Sequence, residues 1–159
     1  MNRVLAILTL FLALSVPSFG QLIPGPPVDE KPGFPDPPCA PDLVVSAISN
    51  VPATVPAGGV LTFSVTVSNL TECEASRSNL LVQIEYLPFS FHYVNVSVPP
   101  FTPITTSHTV TVNYQVPSYL PSGFTLWISQ LTVDSNNQVN ETDELNNITL
   151  GPPTPIMIQ

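Results

Sequence analysis

The chain has 159 residues, enough for one domain with a sizeable core and too few for two comfortable ones. Three Lys and Arg stand against eleven Asp and Glu, a formal net charge of −8. That balance excludes nucleic acid, whose phosphates need cationic partners, and disfavours an anionic membrane surface.

Residues 1–20 read as a secretory signal peptide. Arg3 supplies the positive start, residues 4–16 an apolar stretch, and Ser18 and Gly20 the small residues before a cut ahead of Gln21. Thirteen mostly apolar residues fall short of the roughly 20 that span a bilayer, so no membrane insertion is expected after cleavage. The expected location is secreted, extracellular or at the cell surface. Without Arg3, only Lys31 and Arg77 remain against eleven acids, 2 − 11 = −9.

Residues 21–41 are dense in proline, which locks φ and removes backbone donors. They predict an extended polyproline-II arm, a spacer or a ligand for an aromatic groove. The two cysteines, Cys39 and Cys73, read first as one disulfide in an exported chain. Two free thiols, or a bridge to another chain, are the alternatives.

From Asp42 the pattern becomes short β-branched runs of period two, punctuated by Pro, Gly and Asn, which predicts an all-β sandwich. Residues 42–49 form the first strand, and residues 51–59 an edge crossing where proline is tolerated. Residues 60–69 put Leu61, Phe63, Val65 and Val67 on one face; residues 80–86 do the same with Leu80, Val82, Ile84 and Tyr86. Residues 89–98 and 107–116 follow. Residues 124–134 slip phase between Ile128 and Leu131, which predicts a bulge. A last strand is expected to turn Ile148 and Leu150 inward. About seven strands over some 110 residues suit an immunoglobulin-like antiparallel sandwich in residues 42–151. Residues 152–159 are a short proline-containing tail.

Residues 131–150 read L-T-V-D-S-N-N-Q-V-N-E-T-D-E-L-N-N-I-T-L. Together with Pro41-Asp-Leu-Val-Val, Gly58-Gly59 and Val65-Thr-Val-Ser-Asn69, this stretch resembles the CARDB family, the cell adhesion related domain of bacteria and archaea. The resemblance implies an immunoglobulin-like or fibronectin-III-like sandwich over residues 41–150, and an adhesive rather than catalytic role. The glycine usual soon after the family's Asn is replaced here by Thr71-Glu72-Cys73.

Two readings of the acidic stretch compete. In one, Asn146 shares the inward parity of Ile148 and Leu150, and Asp134 accepts amide hydrogens of its own turn, so the motif locks a corner. Asn69, Asn146 and Asn147 are then the structural amides. In the other, Asp134, Glu141, Asp143 and Glu144 converge on calcium, which prefers hard oxygen ligands. No other cofactor is implied. Four sequons occur: Asn95, Asn140 and Asn147 are expected to face outward as glycosylation sites, and Asn69 inward. Trp127 falls on the outward parity of its strand and is a candidate sugar-stacking or partner contact. His92 and His108 sit in no triad or metal motif, so no enzyme is expected. Ile156 and Ile158 have no evident place in their own core, which suggests a frayed terminus or docking onto another chain. The expected function is a secreted, non-catalytic module for adhesion or for binding an extracellular protein or glycan. The alternatives are a calcium-dependent carbohydrate-binding module and a fibre subunit assembled through its tails.

Overall fold

The computed structural model describes residues 39–86 and 90–159. The expected signal peptide, the arm up to residue 38 and the start of the expected strand at Phe89 lie outside the described residues. The described chain forms nine strands: β1 (Leu43–Ser49), β2 (Thr54–Val55), β3 (Val60–Asn69), β4 (Ser78–Tyr86), β5 (Phe91–Val98), β6 (Ser107–Gln115), β7 (Thr125–Val133), β8 (Ile148–Leu150) and β9 (Ile156–Ile158). Two more strands exist than the seven expected, and the short β2 and β9 account for them.

Two sheets form. The smaller has the order β1-β3-β6, all antiparallel; the larger runs β2-β9-β7-β4-β5, with β8 also paired to β7. Period two decides which side chains meet between them. Leu61, Phe63, Val65 and Val67 of β3 and Val112 and Tyr114 of β6 face Leu80, Val82 and Ile84 of β4 and Leu126, Ile128, Leu131 and Val133 of β7, all buried. The phase slip in β7 is a bulge at Ser129: Gln83 pairs with Gln130, but Ile84 pairs with Ile128. The extra residue restores Leu131 and Val133 to the core, as the sequence predicts.

The tail corrects an expectation. Ile156 and Ile158 are 1% and 2% exposed, and β9 lies antiparallel to β7 and parallel to β2. Met157 donates to the Ala53 carbonyl (3.0 Å), Gln159 to Val55 (3.0 Å) and Ile158 to Phe124 (2.8 Å). The two isoleucines therefore complete their own sandwich, and the basis for docking them onto another chain disappears. Gly151 makes the route possible. Between β8 and β9 the chain crosses the bulge of β7, where a Cβ on Gly151 would sit 1.7 Å from the Ile128 carbonyl oxygen.

A second expectation is reversed in β8. Ile148 and Leu150 are exposed, while Asn147 is buried. Hydrogen bonding of the amide, described below, sets the phase here rather than the apolar pattern.

Because Ile156 fills a fully enclosed site, Ile156→Ala is expected to cost about 2–5 kcal/mol in denaturant titrations. Met157→Ala, on the outward face of the same strand, should stay within about 0.5 kcal/mol.

Candidate functional site

The acidic stretch folds into a corner at the end of β7. Asp134 (φ 45°) and Asn137 (φ 51°) take the left-handed conformation that Asp and Asn tolerate better than most side chains. The buried Asp134 carboxylate accepts the N–H of Gln138 through Oδ1 (3.1 Å) and of Val139 through Oδ2 (2.8 Å). Val139 is thereby turned into the core.

Glu141 comes next and is also buried. Its Oε2 accepts the Leu43 N–H (2.5 Å) at the start of β1, and its Oε1 accepts Asn147 Nδ2 (3.2 Å). The same Nδ2 reaches Glu144 Oε2 (3.3 Å), and Glu144 Oε1 accepts the Glu141 N–H (3.0 Å). One amide thus stands between two carboxylates, and this is why Asn147 points inward and Ile148 outward. Asn146, only half-buried, donates to Asp42 Oδ1 (2.7 Å); Asp143 Oδ1 accepts the Leu145 N–H (2.9 Å). Burial pushes the Glu141 carboxyl up to about 7; the Leu43 and Asn147 hydrogen bonds oppose this, and the Glu144 and Asp134 charges add to it. Every one of the four carboxylates is engaged by N–H groups. Among the described residues no three His, Cys, Asp or Glu side chains gather as a cation site.

Asn69 ties the same corner from the other side. Its Oδ1 accepts the N–H groups of Asp42 (2.9 Å) and Thr71 (3.2 Å), and its Nδ2 donates to the Cys73 carbonyl (2.6 Å). Cys73 is bonded to Cys39, with Cα atoms 5.5 Å apart and 34 positions of chain between them. Chain entropy assigns such a loop about 3–4 kcal/mol.

The sequons separate by burial. Asn95 and Asn140 are exposed; Asn69 is buried, as its parity predicts, and Asn147 is buried against expectation. Trp127 is outward and 39% exposed, opposite Glu85. His92 holds Tyr86 Oη on Nε2 (2.7 Å) and Tyr114 Oη on Nδ1 (3.1 Å), while His108 Nε2 lies 3.0 Å from the Pro100 carbonyl. Burial pushes Tyr114 up to about 12; a hydrogen bond with Tyr119, with burial, also raises Tyr86.

One feature escapes sequence reasoning. Where β4 and β5 meet the turn after β7, a shallow polar groove of about 390 Å³ is lined by Arg77, Asn79, Asn95, Ser97, Asn136 and Gln138. Asn79 holds it together, donating through Nδ2 to Asn95 Oδ1 (2.8 Å) and Ser135 Oγ (2.6 Å). Its three wall segments are far apart in sequence; the only local signal is an Asn on the solvent parity of β4.

The family model described as CARDB matches residues 40–150. The chain belongs to the CARDB family. CARDB is a non-catalytic module family related to cell adhesion and the cell surface. A CARDB domain from Pyrococcus furiosus, crystallised in complex with di-metal ions, is 22% identical with a TM-score of 0.46, covering 75% of this chain and 94% of that one. A domain from Methanosarcina acetivorans solved in solution is also 22% identical, with a TM-score of 0.41 and coverage of 76% and 94%. A β-glucosidase from Listeria innocua is 13% identical with a TM-score of 0.43, and only 16% of that enzyme is covered against 74% of this chain. No curated protein matches the sequence. Among the described residues of this CARDB chain, no helix is long and apolar enough to cross a membrane.

Glu141 generates a pH prediction with a defined sign. Its carboxyl titrates near 4.5 in an unfolded chain and about 7 in the folded one, so between those values the folded state holds the extra proton. Its contribution is present in full below the lower value and is lost as pH rises through the higher one. Glu141→Gln is expected to flatten the fall in stability across this window, measured by denaturant titration at a series of pH values.

Proposed function

We propose that this CARDB chain is a secreted, non-catalytic recognition module that presents the outer face of its larger sheet to an extracellular protein or glycan. The observation that carries this reading is a row of rings on that face. Phe91 and Tyr93 of β5 and Trp127 of β7 are 41%, 59% and 39% exposed, although large aromatic side chains are normally withdrawn from water. They stand on a scaffold whose polar corner is tied by hydrogen bonds and a disulfide, so the face is held rigid before any ligand arrives. Export is supported by the signal-peptide pattern of residues 1–20 and by the Cys39–Cys73 bridge, which persists in oxidising compartments.

The acidic corner serves as a lock in this reading. A calcium-dependent carbohydrate-binding module is the alternative, and the two differ in a simple measurement. Occupation of a calcium site at 100 times its dissociation constant adds about 2.7 kcal/mol. Millimolar calcium is expected to leave the melting temperature unchanged, because the carboxylates that would supply the cage already hold backbone and amide N–H groups. On an array of extracellular proteins and glycans the protein is expected to bind equally with calcium and with a chelator. Binding that vanishes with the chelator would reverse the choice between the two readings, and an array without any binding would remove both.

A further inference from the structure

The outer face of β5 places two kinds of chemistry in one line. Phe91, Tyr93, Asn95 and Ser97 pair across to Glu85, Gln83, Leu81 and Asn79 of β4, so all eight share the solvent side of the larger sheet. Outward residues of one strand follow at intervals of roughly 6–7 Å. Two rings therefore lead directly into the polar groove at Asn95. Since β5 is the edge of its sheet, this line is open along its length.

The polar end is unlike the rest of the molecule. Arg77 is the one Lys or Arg among the described residues, and among them its hydrogen bond goes to Ser97 Oγ (3.4 Å) rather than to any carboxylate. A guanidinium with no carboxylate partner among the described residues, on a chain with a net charge of −8, is a local site of opposite sign. Around it stand carboxamides, from Asn79 and Asn95 in the sheet and from Asn136 and Gln138 in the overhanging turn. Carboxamides donate and accept hydrogen bonds equally, as a polyhydroxylated ligand requires.

We propose that this face binds an acidic saccharide, with one sugar ring stacked on Tyr93 and a neighbouring uronate carboxylate held by Arg77 within the carboxamide groove. The proposal rests on the reading of the chain as an extracellular recognition module. Aromatic rings take the apolar face of a pyranose, and the guanidinium takes the carboxylate through charge-assisted hydrogen bonds. Glu85, beside Phe91 at the far end of the row, repels a carboxylate there and so fixes the direction in which the ligand lies. The volume of about 390 Å³ is within the usual range of ligand clefts.

The test is calorimetric titration of the purified protein with oligosaccharides containing glucuronate, galacturonate or mannuronate, each beside its carboxyl-reduced counterpart. At least one acidic probe should bind, and its reduced counterpart should bind about tenfold more weakly. Arg77→Gln should lose about as much, and Tyr93→Ala should weaken binding about fivefold. Leu145→Ala, an exposed site at the acidic corner, should leave the affinity unchanged. Arg77 and Tyr93 are themselves exposed, so both variants should keep the native circular dichroism and melting temperature. The assignment is overturned if no acidic probe binds, if the reduced probes bind as well, or if both variants bind like the native chain. Displacement of the sugar by a polyglutamate peptide at equal concentration overturns the saccharide class in favour of an acidic peptide. Retention of array binding by Arg77→Gln and Tyr93→Ala removes this groove while leaving the recognition module standing.

Discussion

The fold depends on a carboxylate placed where a strand begins. The Leu43 N–H opens β1 inside the sandwich, where water is absent, and Glu141, 98 positions later, accepts it. A buried donor without that acceptor would carry its full desolvation cost. The carboxylate in turn needs its own partner and takes it from Asn147, which also joins Glu144. Asp42, next to Leu43, is held by the Asn69 amide oxygen, while Thr142 holds Pro41 through its backbone N–H (2.8 Å). The first strand is thus fixed between two loops that arrive from opposite ends of the chain. Hydrophobic burial drives the sheets together, but these polar contacts choose the register in which they meet.

The acidic corner and the outer face of the larger sheet are polar in different ways. At the acidic corner Asp134 and Glu141 are turned inward onto N–H groups and act as internal acceptors, while Asp143 and Glu144 accept N–H groups at the surface. On the outer face the polarity is amide and guanidinium, open to solvent and continuous with exposed rings. A corner whose carboxyl groups are held by N–H donors makes structure; an open polar face makes a surface that can still form bonds. The same residue types, Asn and Ser above all, serve both, and position alone separates them.

Much of the fold is readable from alternation. Phe63, Val65 and Val67, then Leu80, Val82 and Ile84, announce buried faces, and the phase slip beyond Ile128 announces the bulge at Ser129. The prolines before Ile156 obscure β9, because three residues are too short for any period to emerge and parallel pairing with β2 leaves no local trace. Alternation points Asn147 outward, because Ile148 and Leu150 claim the interior by hydrophobicity. Hydrogen bonding of its amide to Glu141 and Glu144 outweighs them, since a buried Glu141 carboxyl without a partner costs more than two exposed aliphatic side chains. For the groove, Arg77, Asn95 and Asn136 share no pattern in the sequence and meet only when the sheet is built. The acidic motif, by contrast, was legible both as a family mark and as a source of hydrogen-bond acceptors.

The bridge between Cys39 and Cys73 has a mechanical side. Tension arriving along the chain ahead of Cys39 passes through the sulfurs to the loop beyond β3, so β1, β2 and β3 lie inside a ring that cannot be drawn out. The stretch it closes, a sequence separation of 34, would otherwise release roughly 110–120 Å of chain when fully extended. While the bridge is intact, a load on that side reaches the sheets without first unzipping their earliest ladder. Reduction would turn the same loop into a reserve of length.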